Sequence, residues 1–277
     1  MGRDRVGLWV TITLAADGGK PVTQRLRWIP PGRFWMGSPA DEPGWYEREG
    51  PQHPVTLRQG YWLFDTPCTQ GLWQAVMGNN PSRFQSPDRP VERVSWNDVQ
   101  AFLEKINRRV PGLELALPSE AQWEYACRAG TTTPIYTGEL AILGANNAPA
   151  LDPIAWYGGN SGVGFEREDG EKSSAWPEKQ YPHEQAGTRP VARKDPNPWG
   201  LYDMLGNVFE WCADGMRSYS PDAVEDPVGE TAVGVGRVVR GGSWILDARS
   251  VRAAYRYARS PVDRHRDIGF RCSRVHS

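Results

Sequence analysis

No stretch of the chain approaches the roughly 20 consecutive apolar residues of a membrane-spanning helix, and no membrane partner is expected. The first residues, MGRDRVGLWVTITLAADGG, lack the unbroken apolar core of a secretory leader and turn polar by Ala16. Met1-Gly2 opens like an acylation signal, yet Val6 stands where that signal wants Ser or Thr. These absences make a cytoplasmic location the expectation. Cysteine is scarce and scattered: Cys68, Cys127, Cys212 and Cys272 form no C-x-x-C pair. Zinc-ribbon and dithiol redox readings therefore have no footing, and free, half-buried thiols in a reducing compartment are expected. Internal repeats, low-complexity tracts and clean linkers are missing too, so the 277 residues are expected to form one domain.

Aromatic and turn-forming residues are abundant instead, with 13 Trp, 30 Gly and 24 Pro. Together with 39% hydrophobic residues and a mean hydropathy of −0.59, they describe a soluble core wrapped by irregular loops. The net charge is only −1 but unevenly placed. Residues 237–274 hold ten Arg, no Lys and three Asp, a local net of +7, which leaves −8 for the rest. A nucleic-acid partner is the obvious reading of such a segment. The missing lysines, and arginines set at positions that suggest internal pairing, argue against it.

VGLWVTITLA and TQRLRWIPPG predict a strand pair around a polar turn at DGGKP, and FWMG, HPVTL and GYWLF predict further short strands. Ser95 opens a capping-box-like helix with Val99, Phe102, Leu103 and Ile106 on one face, stopped by Pro111-Gly112. Ser119 opens a second helix that runs to Gly130, and TQGLWQAVM after Thr69 predicts a third despite Gly71. From Gly130 to Pro198 little periodicity is visible. A loop of that length is either functional or held by tertiary contacts.

Seven motifs occur in order: FWMGS, TPCTQGLWQAVMG, RPVERVSWNDVQAFLEKIN, LPSEAQWEYACRAG, PNPWGLYDMLGNVFEWCAD, RVVRGGSW and IGFRC. Together they resemble the sulfatase-modifying-factor, or formylglycine-generating-enzyme, family over about residues 26–272. The resemblance implies an α+β, C-type-lectin-like fold with little regular secondary structure and a small twisted antiparallel sheet flanked by helices. In the family's enzymes two cysteines shortly after the GGS-aromatic motif bind copper. Here those positions are Leu246 and Val251, neither of which supplies the thiolate that copper(I) needs, so no copper is expected. The histidine-dependent iron enzymes of the same fold are no better matched, because His53, His183, His265 and His276 show no H-x-x-x-H spacing. A calcium ion is implied by the family pattern at Asp203, Gly206, Val208 and Glu210, the first and last through carboxylates and the middle two through carbonyls. The competing reading makes Asp203 and Glu210 capping or arginine-paired carboxylates. A second calcium loop of the family has no counterpart in AWYGGNSGVGFEREDG.

Within this fold, the variable proteins of diversity-generating retroelements have a C-terminal segment similar to RGGSWxxxARxVRxAxRxxxxPxxRxxxxGFR. The frame here reads Arg240, Gly241, Gly242, Ser243, Trp244, Ala248, Arg249, Val251, Arg252, Ala254, Arg256, Pro261, Arg264, Gly269, Phe270 and Arg271. By that resemblance the diversified, ligand-binding positions are Ile245, Leu246, Asp247, Ser250, Tyr257, Ala258, Arg259, Asp263, His265, Arg266 and Asp267, with Tyr255 a twelfth. Adenine-directed mutation of AAC codons cannot produce Lys, Glu, Gln, Met or Trp, and the first eleven residues obey that restriction. Those five types make up 50 of 277 residues, so eleven random picks would comply roughly one time in ten. Frame arginines, with five donors each, suit internal ties to carboxylates and carbonyls, and the fill is then free to face solvent. The expectation is a noncatalytic protein with buried frame arginines and one exposed fill face for an unidentified protein or small-molecule ligand. The alternatives are an altered oxidoreductase using Cys272 or Glu210, and a nucleic-acid binder.

Overall fold

The computed structural model describes residues 1–15, 20–232 and 234–275. Asp17, Gly18 and Gly19 of the expected DGGKP turn, and His276, lie outside the described residues. The chain opens with β1 (Gly2–Asp4), β2 (Gly7–Leu14) and β3 (Val22–Ile29), of which β2 and β3 are the expected antiparallel pair, Trp9 facing Arg27 and Leu14 facing Val22. β4 (Gly32–Met36), β5 (His53–Leu57) and β6 (Tyr61–Phe64) follow. Three helices come next: α1 (Gln70–Met77), α2 (Trp96–Arg109) and α3 (Glu120–Arg128), each opened by a hydroxyl cap from Thr69, Ser95 or Ser119. Gly71 costs α1 little, because its backbone packs on the Pro87 carbonyl, where a Cβ would crowd at 3.1 Å.

The loop expected over 130–198 holds only β7 (Glu171–Lys172), β8 (Gln185–Ala186) and one short 3-10 turn. The remaining strands are β9 (Phe209–Gly215), β10 (Val224–Glu225), β11 (Arg237–Arg240), β12 (Arg256–Arg259), β13 (Ile268–Gly269) and β14 (Ser273–Val275). Among the described residues these strands form not one sheet but four small ones, ordered β1-β2-β3-β6-β14, β10-β5-β4, β12-β11-β9-β13 and β7-β8. The pairs β5/β10 and β9/β13 are parallel, an arrangement that needs long crossovers rather than hairpins and leaves no local trace in a sequence.

The core follows the expected pattern. Val99, Phe102 and Ile106 of α2 are completely buried, and Trp123, Trp211, Trp244, Tyr61, Tyr157, Phe64 and Phe84 are all enclosed. The cysteines depart from expectation. All four are wholly buried rather than half-buried, and burial pushes their thiols up, that of Cys127 to about 12. Such thiols are inert at neutral pH.

Candidate functional site: the C-terminal face

Strand β11 runs into Gly241-Gly242, both at positive φ. A Cβ at Gly242 would sit 2.6 Å from the Ser250 carbonyl, so the chain can double back here only as glycine. That reversal lays residues 243–272 across the molecule, where arginines tie them down. Arg240 donates to the carbonyls of Ala253 and Ala254, at 2.9 and 2.8 Å, and to the Glu124 carboxylate. Arg256 grips both oxygens of Glu120 at 2.6 Å. Arg252 bridges Glu49, at 2.9 and 2.7 Å, and Glu42, at 2.5 Å. Arg271 takes both oxygens of Glu210 at 2.7 Å. All four guanidiniums are no more than 1% exposed. Burial pushes the Glu120 carboxyl up, but Arg256 and Arg240 outweigh it and hold the group below its ordinary value. Two frame arginines differ from the buried expectation. Arg249 is exposed and stacks 3.7 Å over the Tyr46 ring, and Arg264 is exposed and pairs in bidentate fashion with Asp98.

The fill residues divide. Tyr257 and Arg259 are exposed, and Ile245, Leu246, Asp247, Ala258, Asp263, His265 and Arg266 are partly exposed. Ser250, Tyr255 and Asp267 are buried, contrary to their expected display. Asp247 caps the turn Ala248–Ser250 by accepting from the Ser250 amide and hydroxyl, which draws Ser250 inward. Tyr255 stacks on Phe209 and lies edge-on to Tyr46. Asp267 accepts from the Ser243 hydroxyl at 2.7 Å and pairs with His265.

Two groupings result. In the first, the Arg48 guanidinium lies over the rings of Tyr46, Tyr255 and Tyr257 at 4.3, 5.1 and 5.3 Å, and that of Arg259 lies 5.1 Å from the Tyr257 ring. In the second, Arg266 reaches Glu171 at 3.3 Å near Trp244, whose indole donates to the Arg266 carbonyl, and Ile245 packs against Trp244. Asp263 caps its own turn through the Ser260 amide. Tyr46 and Arg48 belong to this face and were not foreseen, nor was Val262 of the segment itself, which is 60% exposed. Val262 was legible from its place between two frame residues; Tyr46 and Arg48 were not, since they meet the segment across some 200 positions.

The carboxylates implied for calcium are both held by protein partners. Both Glu210 oxygens serve Arg271, and one also accepts from the Trp123 indole at 2.7 Å. Asp203 accepts from the Ala192 amide and the Asn207 side chain, and its carboxyl is pushed up to about 6 by burial. Arg271 also donates to the Asp203 carbonyl at 3.3 Å, placing a cation where another would have to enter. Gly206 sits at positive φ against the Trp156 carbonyl, and Val208 is buried in the core. Among the described residues no three His, Cys, Asp or Glu side chains are grouped to hold a metal. Of the two positions that the resemblance sets against copper-binding cysteines, Val251 is wholly buried and Leu246 is half-buried.

A sulfatase-modifying factor enzyme 1-like domain matches residues 15–276. The chain belongs to that family. It is 30% identical to the formylglycine-generating enzyme of Mus musculus over 230 residues, which cover 81% of this chain and 54% of that protein. It is also 30% identical to the chaperone protein LppX of Paenibacillus barcinonensis over 235 residues, covering 73% of this chain and 75% of the relative. The solved structure of Treponema denticola variable protein 1, a diversity-generating retroelement variable protein, superposes with a TM-score of 0.74 at 29% identity. It covers 96% of this chain and 99% of that one. The chain thus spans about half the length of the mouse enzyme but nearly all of the variable protein. The fold is the α+β, C-type-lectin-like one of this family. Among the described residues no helix is long and apolar enough to cross a membrane.

Proposed function

We propose that this member of the sulfatase-modifying-factor family is a noncatalytic protein that holds out its C-terminal segment to a protein or small-molecule ligand. The observation that carries this reading is the division of labour along β12. Arg256 turns inward to Glu120, while Tyr257 and Arg259, one and three residues on, stand in solvent. Positions that hold the fold and positions free to vary are thereby interleaved, as the frame-and-fill pattern requires. Near-complete coverage of a variable protein supports the same reading. The oxidase alternative has Leu246 and Val251 where thiolates would be needed, and a Cys272 thiol that burial pushes well above its ordinary value. The nucleic-acid alternative loses half its charge, because five of the ten arginines in 237–274 (Arg237, Arg240, Arg252, Arg256 and Arg271) are buried. Metal plays no part in this proposal.

The test replaces the exposed fill together, Tyr257→Ser, Arg259→Ser, His265→Asn and Arg266→Asn, and separately removes one frame residue, Arg252→Met. Surface changes of this kind cost about 0.5 kcal/mol or less each. Leaving Glu42 and Glu49 buried without their partner costs about 3–5 kcal/mol. The quadruple variant should therefore lose no more than about 2 kcal/mol, and Arg252→Met about 3–5 kcal/mol. Equal losses would show that the fill is structural. Oxygen consumption by copper-loaded protein with a cysteine peptide would return the chain to the oxidases.

A further inference from the structure

Eight arginines are buried: Arg27, Arg89, Arg128, Arg237, Arg240, Arg252, Arg256 and Arg271. Six of them close on a carboxylate. Arg237 donates to the Thr231 carbonyl. Arg89 alone has no hydrogen-bond acceptor for its side chain among the described residues, and one of its terminal nitrogens is sealed from solvent without a partner. Its guanidinium lies 5.3 Å from the centre of the Phe165 ring. A second cation, Arg189, lies 5.8 Å from the same ring and 4.6 Å from that of Trp156. Among the described residues Arg189 forms no ion pair either; its Nε is buried and unpaired, and its one side-chain bond is a 3.4 Å contact to the Ser161 carbonyl.

None of the nearby acids closes on either guanidinium. Asp169 is held by Arg167 through bonds of 2.8 and 2.7 Å, Asp88 accepts from the Ser86 hydroxyl, and Glu166 is exposed. Two further donors in the neighbourhood, the Thr188 hydroxyl and the Trp156 indole, are also buried without a partner. Burial, with Arg167 and Arg189 nearby, pulls the Arg89 guanidinium down to about 10, so it remains charged at neutral pH. Asp88 and Asp169 act on Arg89, and Glu166 on Arg189, but burial outweighs them at both, and a buried guanidinium nitrogen without a hydrogen-bond acceptor is costly unless something supplies one.

We propose that Arg89 and Arg189, set against Phe165, form a site for a small oxyanion of the phosphate type, carried as a free ion or as a phosphomonoester. A compact dianion would give both guanidiniums charge-assisted acceptors, the geometry in which arginine binds most strongly. The site draws on the loops around 89, 165 and 189, not on the C-terminal fill, so its failure would leave the ligand face standing.

Titration calorimetry with inorganic phosphate, at ionic strength fixed with chloride, tests it. Saturable binding is expected, weakened at least tenfold by Arg89→Gln and by Arg189→Gln and unchanged by Arg33→Gln, an exposed control. Arg189 is half-exposed, so its variant keeps the test alive if Arg89→Gln does not fold. A parallel titration with glycerol 3-phosphate separates the sources: equal affinity assigns a phosphomonoester, and exclusion assigns the free ion. Absence of saturable phosphate binding, or binding that survives both substitutions, overturns the proposal.

Discussion

At the scale of single residues, the buried carboxylates are of two kinds. Those gripped by arginine, such as Glu120, keep their charge. Those answered only by amides are pushed up by burial, Asp214 to about 6. Glu92 is completely buried, accepts from the Arg83 and Phe84 amides through one oxygen, and has no partner for the other. Burial pushes it up to about 7. A folded value raised above the unfolded one means that the native state binds the proton more tightly. Its contribution is therefore fully present below about pH 4.5 and is lost as pH rises through about 7. Glu92→Gln keeps the accepting oxygen and removes the charge. It should be more stable than the parent at pH 8 by ~1–3 kcal/mol, since each pKa unit is about 1.4 kcal/mol. The advantage should fade towards pH 4.5. Urea unfolding at the two pH values measures it, and an equal gain at both would show that ionisation is not the cause.

Among the elements, α2 does double service. Ser95 accepts from the Asp98 amide, and Asp98 returns a bond to the Ser95 amide, closing the capping box. The same Asp98 carboxylate holds frame residue Arg264 through two 2.7 Å bonds. Ser95→Ala should cost about 1 kcal/mol, the usual worth of such a cap. Asp98→Ala should cost more, because it also frees the turn around Arg264. Thermal unfolding of the two variants ranks them, and an equal cost would mean that Arg264 contributes nothing. The cap itself was readable in SWND, because caps and helix periodicity are local. The inward turn of Ser250, Tyr255 and Asp267 was not. The spacing of frame residues fixes where a side chain sits in the chain, while its direction depends on Phe209, Tyr46 and Ser243, which arrive from elsewhere. Only Ser250 left a local trace, three residues after the aspartate that caps it. The partner of Glu210 was hidden for the same reason: GLYDMLGNVFEW is intact, but Arg271, 61 residues beyond Glu210, pairs with that carboxylate.

For the molecule as a whole, the question is what keeps a chain with so little regular structure in one arrangement. Backbone groups in long loops still need partners, and here buried amide side chains supply them. Asn197 is the clearest case. Its Nδ2 donates to the carbonyls of Ala126 and Cys127 at the end of α3, at 2.7 and 3.2 Å, and its Oδ1 accepts from the amides of Trp199 and Leu201, at 3.0 and 3.1 Å. One side chain thus fastens the close of the long loop to a helix 70 residues earlier in the sequence. Asn197→Ala strands four backbone groups where water has little access, and each such group costs about 1–3 kcal/mol. The variant should lose at least ~3 kcal/mol in urea unfolding, seen as a lower midpoint with an unchanged slope. Asn197→Asp keeps the acceptor but turns an anion towards the two carbonyls, so it should be no better than alanine above neutral pH and should recover in acid. If both variants unfolded within 0.5 kcal/mol of the parent, about the spread of a neutral surface change, the loop would have to be held by its apolar contacts alone.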